Sequence, residues 1–339
     1  MYSIIRFLLF LFNPETAHHI AMKSLKLADF FGLLSLISAP VIGRPRTVFG
    51  VEFKNPVGLA AGLDKNAEYI DCLARLGFGF IEVGTLTPRP QPGNPKPRSF
   101  RLTKELGIIN RFGFNNIGID KAILNIQHSK YKGVLGINIG KNFDTPLENA
   151  INDYIICFRK AYDYATYIVI NVSSPNTKNL RKLQEEDFFE NLISTIKLEQ
   201  TALAKKYTKY VPFLVKISPD GEVSEMDNIV RLLLKYNIDG VIATNTTLAR
   251  DGVQQSHFRG EAGGLSGEPL RLRAIKTQQY LFKGLKGKVP IIGVGGIMSA
   301  SDGKERINEG AELIQIYSGL IFKGHRLIHE LCERTQQEK

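Results

Sequence analysis

The segment NVSSPNT, residues 171–177, closes a β-branched apolar run with Asn171, Ser173, Ser174 and Asn176, and Pro175 stiffens the turn. Amide and hydroxyl groups at this spacing offer donors and acceptors to one small ligand, and the proline restricts the backbone carrying Ser174. The same residues would also make an ordinary polar loop. Seven other apolar runs stop in a similar way. They end in Ala61-Gly62 with Asp64-Lys65 past the turn, Gly84-Thr85, Asn138, Lys216, Thr244-Asn245-Thr246, Gly295-Gly296 and Tyr317-Ser318. Asn110 and Arg111 lie in a further segment, NRFGFNN. Arginine pairs bidentately with a carboxylate, and asparagine both donates and accepts. The set suits a small planar substrate bearing a carboxylate and amide groups. The glycines of GVGGI, with YSG on the next run and GGLSG (Gly263–Gly267) upstream, allow backbone N–H groups close to a phosphate. Their alternative is a set of tight turns.

These groups need a scaffold that gathers the ends of eight runs. The runs are NPVGLAAG, FGFIEVGT, GVLGINIG, YIVINVSS, PFLVKIS, GVIATNT, PIIGVGG and LIQIYSG, most of them separated by amphipathic stretches. Nearly continuous apolar character marks strands covered on both faces, as in parallel sheets. Eight β/α units predict an α/β fold of the (β/α)8, or TIM, barrel type, whose chemistry sits at the C-terminal strand ends. A doubly wound sheet is the alternative. Helices are expected over Asn66–Leu76 and Leu147–Tyr164. TVFGVEFKN reads as a hairpin closing the barrel's bottom. Ser99–Leu102 and Gly107–Ile109 read as a second hairpin, folded over the strand ends so that Asn110 and Arg111 reach the pocket mouth.

A 339-residue chain that is 43% hydrophobic buries a large core without disulfides. Its three cysteines stand apart with no CxxC or Cys/His spacing, which argues against iron–sulfur and zinc sites and leaves no metal expected. The net charge of +11 suits anionic partners, but the basic residues are scattered among acids, so nucleic acid is not expected. No segment reaches the roughly 20 apolar residues of a spanning helix. In MYSIIRFLLFLFNPETAHHI, Asn13 as N-cap and Pro14 at the first helical position announce a helix. With LLSLISAPVI further on, residues 1–40 read as two short apolar helices. They form either a cap or a plate in a membrane interface. The barrel would occupy residues 41–339.

Taken together, AAGLDKN, GTLTPRPQPGNPKPR, NRFGFNN, GINIGKN, NVSSPNT, IATNTT, GGLSG, IIGVGGI and QIYSG closely resemble the membrane-associated, quinone-linked dihydroorotate dehydrogenases called class 2. The resemblance covers essentially the whole chain. One departure is Phe112, where related enzymes often carry Met or Tyr. The soluble class 1 relatives use a cysteine at the loop that here carries Ser174, and they lack the extension.

The resemblance implies oxidation of (S)-dihydroorotate to orotate in pyrimidine (UMP) biosynthesis, with FMN as electron carrier and ubiquinone or menaquinone as acceptor. It implies FMN contacts from Ala61, Gly62, Lys65, Thr85, Asn138, Asn171, Lys216, Thr244, Gly267, Gly296, Tyr317 and Ser318. Dihydroorotate would meet Lys65, Asn110, Arg111, Phe112, Gly113, Phe114, Asn171, Asn176, Asn245 and Thr246. Ser174 would be the catalytic base, relayed through Thr177 and a water because a serine hydroxyl is a weak acid. Lys216 would offset charge on the reduced cofactor. His18 and Arg101 would present donors to the quinone head; the alternative for His18 is an exposed residue near a helix start. The expected form is a monomer held peripherally on the cytoplasmic side of a bacterial inner membrane, since the extension lacks an Arg- and Ser-rich mitochondrial leader. The rivals are an FMN or phosphate barrel acting on another heterocycle, and a non-catalytic peripheral membrane protein.

Overall fold

The computed structural model describes residues 2–34, 43–176, 180–184 and 186–336, with backbone alone at positions 181, 182, 186 and 336. Eight strands close into a barrel: β3 (Val57–Leu59), β4 (Phe80–Leu86), β7 (Val134–Ile139), β8 (Tyr167–Asn171), β9 (Phe213–Ile217), β10 (Gly240–Ala243), β12 (Ile291–Val294) and β13 (Leu313–Ile316). Every pairing around the ring is parallel, each strand beside the next in sequence. The barrel expected from eight apolar runs is therefore present, and the doubly wound alternative is not.

Side chains alternate across a strand, so every second residue points inward. Phe80, Tyr167, Leu214, Ile242, Ile292 and Leu313 form an apolar layer low in the barrel. Two glycines make room for the rings: a Cβ on Gly58 would lie 2.3 Å from the Phe80 ring, and one on Gly136 would lie 2.2 Å from the Tyr167 ring. Below this layer, β1 (Arg46–Val48) and β2 (Val51–Phe53) form the expected antiparallel hairpin. Phe53 is fully buried and packs edge-on against Phe80 at 5.1 Å, which plugs the N-terminal end.

One residue pair further up, the inward positions change character. Glu82, Asn138, Lys216 and Gln315 are polar and buried, and they lie beneath the strand ends.

A three-stranded antiparallel sheet stands over those ends: β5 (Ser99–Leu102), β6 (Gly107–Asn110) and β11 (Gly264–Gly267). The hairpin read from sequence is its first two strands. The third is GLSG, expected only as a glycine loop.

Two expected helices are shorter than their patterns. Residues 61–69 wind as turns because the Asp64 carboxylate accepts from the backbone N–H of Glu68 (2.9 Å) and Tyr69 (2.8 Å), and only Ile70–Ala74 is helical. The other runs over Ala150–Ala161 after a 3₁₀ turn at Leu147–Asn149.

At the N-terminus, α1 (Tyr2–Phe10) and α2 (Pro14–Phe30) lie against the barrel's flank. Asn13 caps α2 as expected, its Oδ1 accepting from Thr16 N–H at 2.9 Å. Tyr2 anchors α1 by donating to the carbonyls of Leu320 and Ile321. The expected second apolar helix, Leu33–Ile37, lies mostly outside the described residues, as does the domain boundary at position 40. No helix among the described residues is long and apolar enough to cross a membrane.

Candidate active site

Seven of the eight strand ends, all but that of β7, open into one cavity. Around it stand Ala61, Gly62 and Lys65 after β3, Thr85 in β4, Asn171 and Ser174 at the end of β8, Lys216 in β9, and Thr244, Asn245 and Thr246 after β10. Gly296, Tyr317 and Ser318 complete the ring beyond β12 and β13. The overlying segments add Asn110, Phe112, Gly113, Phe114, Asn176 and Gly267.

The floor is a hydrogen-bonded polar layer. Glu82 accepts from Asn138 Nδ2 (2.8 Å), Gln315 Nε2 (2.6 Å) and the Tyr167 hydroxyl (3.3 Å). Lys216 Nζ lies 3.9 Å from Glu82 Oε1, with both side chains buried. The carboxylate and the lysine thus share a buried site. Burial lowers the Lys216 pKa, and the neighbouring carboxylate opposes the shift. Asn171 Nδ2 donates to Thr85 Oγ1 (2.9 Å) and Asn138 Oδ1 (3.2 Å), while its Oδ1 accepts from Asn245 Nδ2 (3.3 Å). Such a network fixes the direction of each amide before any ligand arrives.

Ser174 is buried, and its Oγ accepts from Asn176 N–H at 3.3 Å. The hydroxyl of Ser173 is committed to Asn171 and Asn245. Thr177, the expected relay partner, lies outside the described residues.

Two expected ligands stand elsewhere. Arg111 points away from the cavity: Nη1 pairs with Glu261 (2.7 Å) and with the Ala262 carbonyl, Nη2 donates to the Pro97 carbonyl, and the guanidinium stacks on Phe100. A partner 150 residues away in sequence claims it. Asn138 sits one layer below the wall, bonded to Thr85, Asn171 and Glu82, and supports the residues that line the cavity.

Sequence reasoning also missed Glu82 and Gln315. Their signal was a polar residue at an inward position of an apolar run, FIEVGT and LIQIYSG. Gln315 Oε1 is buried in the cavity wall without a hydrogen-bond partner among the described protein atoms.

A second, larger groove runs between α1, α2 and the barrel. Its lining is mostly apolar, with Leu9, Phe10, Met22 and Leu25 among its walls. It shares Lys65, Phe112 and Tyr317 with the strand-end cavity, so these three residues are the partition between the two spaces. His18 lines the groove, and burial beside Lys65 pushes its pKa down to about 3, which leaves a neutral imidazole at physiological pH. Burial raises the Tyr317 hydroxyl to about 12, so it keeps its proton. Arg101 lines the groove too, but it donates to the carbonyls of Leu9, Phe10 and Phe12 at the end of α1 and stacks on Phe10 at 4.3 Å.

The sequence model of the dihydroorotate dehydrogenase family matches residues 45–338. The chain is similar to the dihydroorotate dehydrogenase (quinone) of Nitrosospira multiformis, 56% identical over 333 residues covering 98% of this chain and 95% of that one. It is similar also to that of Methylobacillus flagellatus, 55% identical over 332 residues and 98% of each chain. Among solved structures, DHODH from Eimeria tenella in complex with ferulenol superposes with a TM-score of 0.85 at 36% identity, covering 95% of this chain and 90% of that one. The likeness runs through the two N-terminal helices as well as the barrel, and the chain belongs to the quinone-linked, class 2 family of dihydroorotate dehydrogenases.

Proposed function

We propose that this chain oxidises (S)-dihydroorotate to orotate with FMN as cofactor and passes the electrons to a membrane quinone, in the route to UMP. One observation carries the reading beyond family membership: two spaces of opposite character, a polar strand-end cavity and an apolar groove, meet at Lys65, Phe112 and Tyr317. A cofactor that alternates between a polar substrate and a greasy acceptor needs access to both.

The donor set fits a flavin mononucleotide. Gln315 Oε1, buried in the cavity wall, lacks a partner among the described protein atoms, and Lys216 brings a buried cation to the same cavity. Ala61, Gly62, Lys65, Thr85, Asn171, Lys216 and Thr244 would hold the ring system. Gly267, Gly296, Tyr317 and Ser318 would hold the phosphate, with Asn138 acting through Thr85 and Asn171. When bound, the flavin supplies a two-electron acceptor for the substrate and a donor for the quinone. The chain's own part is to orient and to move a proton. Asn110, Asn176, Asn245 and Thr246, with Asn171, present amides and a hydroxyl to the substrate's imide edge, and Ser174 Oγ takes a proton from the carbon next to its carbonyl. Lys65 is the cation placed to meet the substrate's carboxylate in place of Arg111. Burial pushes its pKa down to about 8, with Glu15 and Asp64 holding it up.

His18 and Tyr317, with Arg101 behind them, would face the quinone head in the groove. Exposed apolar side chains on α1 and α2 support a peripheral position on a membrane, and the bacterial relatives suggest the cytoplasmic face of an inner membrane.

The test is direct. The purified protein should absorb in the visible as a flavoprotein and form orotate from dihydroorotate when a quinone is supplied; a colourless protein, or a flavoprotein that leaves dihydroorotate untouched, overturns the reading.

Lys216→Ala should lower flavin content and slow flavin reduction by roughly tenfold, about 1.4 kcal/mol of transition-state stabilisation. The effect is held to that size because Glu82, 3.9 Å away, already offsets part of the lysine's charge. Wild-type flavin content together with a wild-type reduction rate would reduce Lys216 to a structural partner of Glu82.

A further inference from the structure

Glu15 lies in the first turn of α2 and lines the apolar groove. Its carboxylate is turned toward the barrel. Oε1 accepts from Arg98 Nε (3.1 Å) and Nη2 (2.9 Å), and the two side chains are 16% and 8% exposed. The remaining donor of Arg98, Nη1, bonds the carbonyls of Pro92 (2.6 Å) and Asn94 (2.9 Å). A buried pair with its guanidinium so occupied fixes geometry more than it adds stability.

Asn94 carries the connection onward. Its backbone N–H donates to the Phe112 carbonyl (3.0 Å), and its Nδ2 donates to the carbonyls of Arg111 (2.8 Å) and Asn176 (3.3 Å). The Asn176 N–H in turn meets Ser174 Oγ. The Phe112 ring makes a cation–π contact with Lys65 Nζ at 4.3 Å and another with the Arg98 guanidinium at 5.9 Å. One carboxylate on the groove side is thus tied, through Arg98 and Asn94, to both overlying segments of the polar cavity.

We propose that Glu15 is a positioning residue for dihydroorotate: from the quinone groove it sets, through Arg98 and Asn94, the segments that carry Phe112 and Asn176. The proposal rests on the functional reading above. Without the carboxylate, Arg98 is a buried cation lacking its counter-charge. It must turn toward water, and the carbonyls of Pro92 and Asn94 lose their donor.

The experiment uses the full-length, flavin-loaded protein and the concentration dependence of anaerobic flavin bleaching by dihydroorotate. Glu15→Gln should raise the dihydroorotate Kd roughly tenfold, the scale of a sub-ångström displacement of binding groups. The limiting rate at saturation should change far less, because the lost contacts serve ground state and transition state alike. Asn13→Ala is the control: it removes the N-cap of the same helix without touching Arg98, so it should cost stability and leave the dihydroorotate Kd unchanged. If Glu15→Gln does not fold, Arg98→Lys, which keeps the charge and loses the fork, should show the same rise in Kd. Wild-type affinity in the variant, or an equal defect in Asn13→Ala, overturns the proposal. Failure of the unaltered protein to bleach with dihydroorotate would instead sink the functional reading itself.

Discussion

Ser174→Ala should slow flavin reduction by dihydroorotate at least about a hundredfold, the scale of a lost general base, while flavin content stays as in the unaltered protein. The assignment rests on what the neighbouring groups are already doing. Ser173 spends its hydroxyl on Asn171 and Asn245, and the asparagines around the cavity hold one another. Ser174 Oγ receives one backbone N–H and gives its proton to no described protein atom, so it is the hydroxyl free to act on a ligand. That contact from Asn176 holds the oxygen from one side. It is not enough to make serine a base at neutral pH, so the proton must move on as it arrives. Stopped-flow bleaching measures the rate without any quinone present. A reduction rate within a few-fold of the unaltered protein would move the proton-accepting role to another group.

The strand ends were legible in the sequence for a physical reason. In a closed parallel barrel the strands are covered on both faces, so each reads as an unbroken apolar run, and the point where the run stops is the edge of the pocket. Asn171, Lys216, Thr244 and Tyr317 could be located from that rule alone. What the rule does not carry is direction. Arg111 belongs to the right segment, but Glu261, far off in sequence, turns its guanidinium to the outside. Lys65 and Lys216 are the cations that line the cavity instead. Asn138 reads as a wall residue in the sequence because its run ends there; in the fold it points inward one layer lower and acts as a strut. Glu82 and Gln315 went unread because a single polar residue inside an apolar run looks like noise until the alternation of a strand shows that it faces the barrel's axis. Pairing between segments was equally hidden: nothing in GGLSG announces that it will add a third strand to the hairpin over the cavity.

Replacing Phe7, Leu11 and Phe30 together by glutamate should strip the protein from anionic vesicles and cut turnover with a long-tailed quinone by about a hundredfold. On α1 and just past it, Ile4, Phe7, Leu8 and Leu11 follow at helical spacing and are 53% to 69% exposed, while Leu9 and Phe10 turn inward to the groove. On α2 and its end, Leu27, Phe30 and Phe31 are exposed in the same way. The helices therefore present one greasy face to the surroundings and another to the groove, as a plate seated in a lipid surface would. Half-burying three such side chains in a membrane contributes roughly 3 kcal/mol, about two powers of ten in partition, and glutamate adds repulsion from anionic lipid. None of the three touches the strand-end cavity, so flavin bleaching by dihydroorotate should keep its rate. Turnover with a short, water-soluble quinone should persist as well, because the groove still leads to Tyr317 and Lys65. Vesicle co-sedimentation, run beside assays with the two quinones, separates the cases. Loss of activity with both quinones would mean that the helices act as a folding element, and unchanged vesicle binding would place the membrane contact on another face of the barrel.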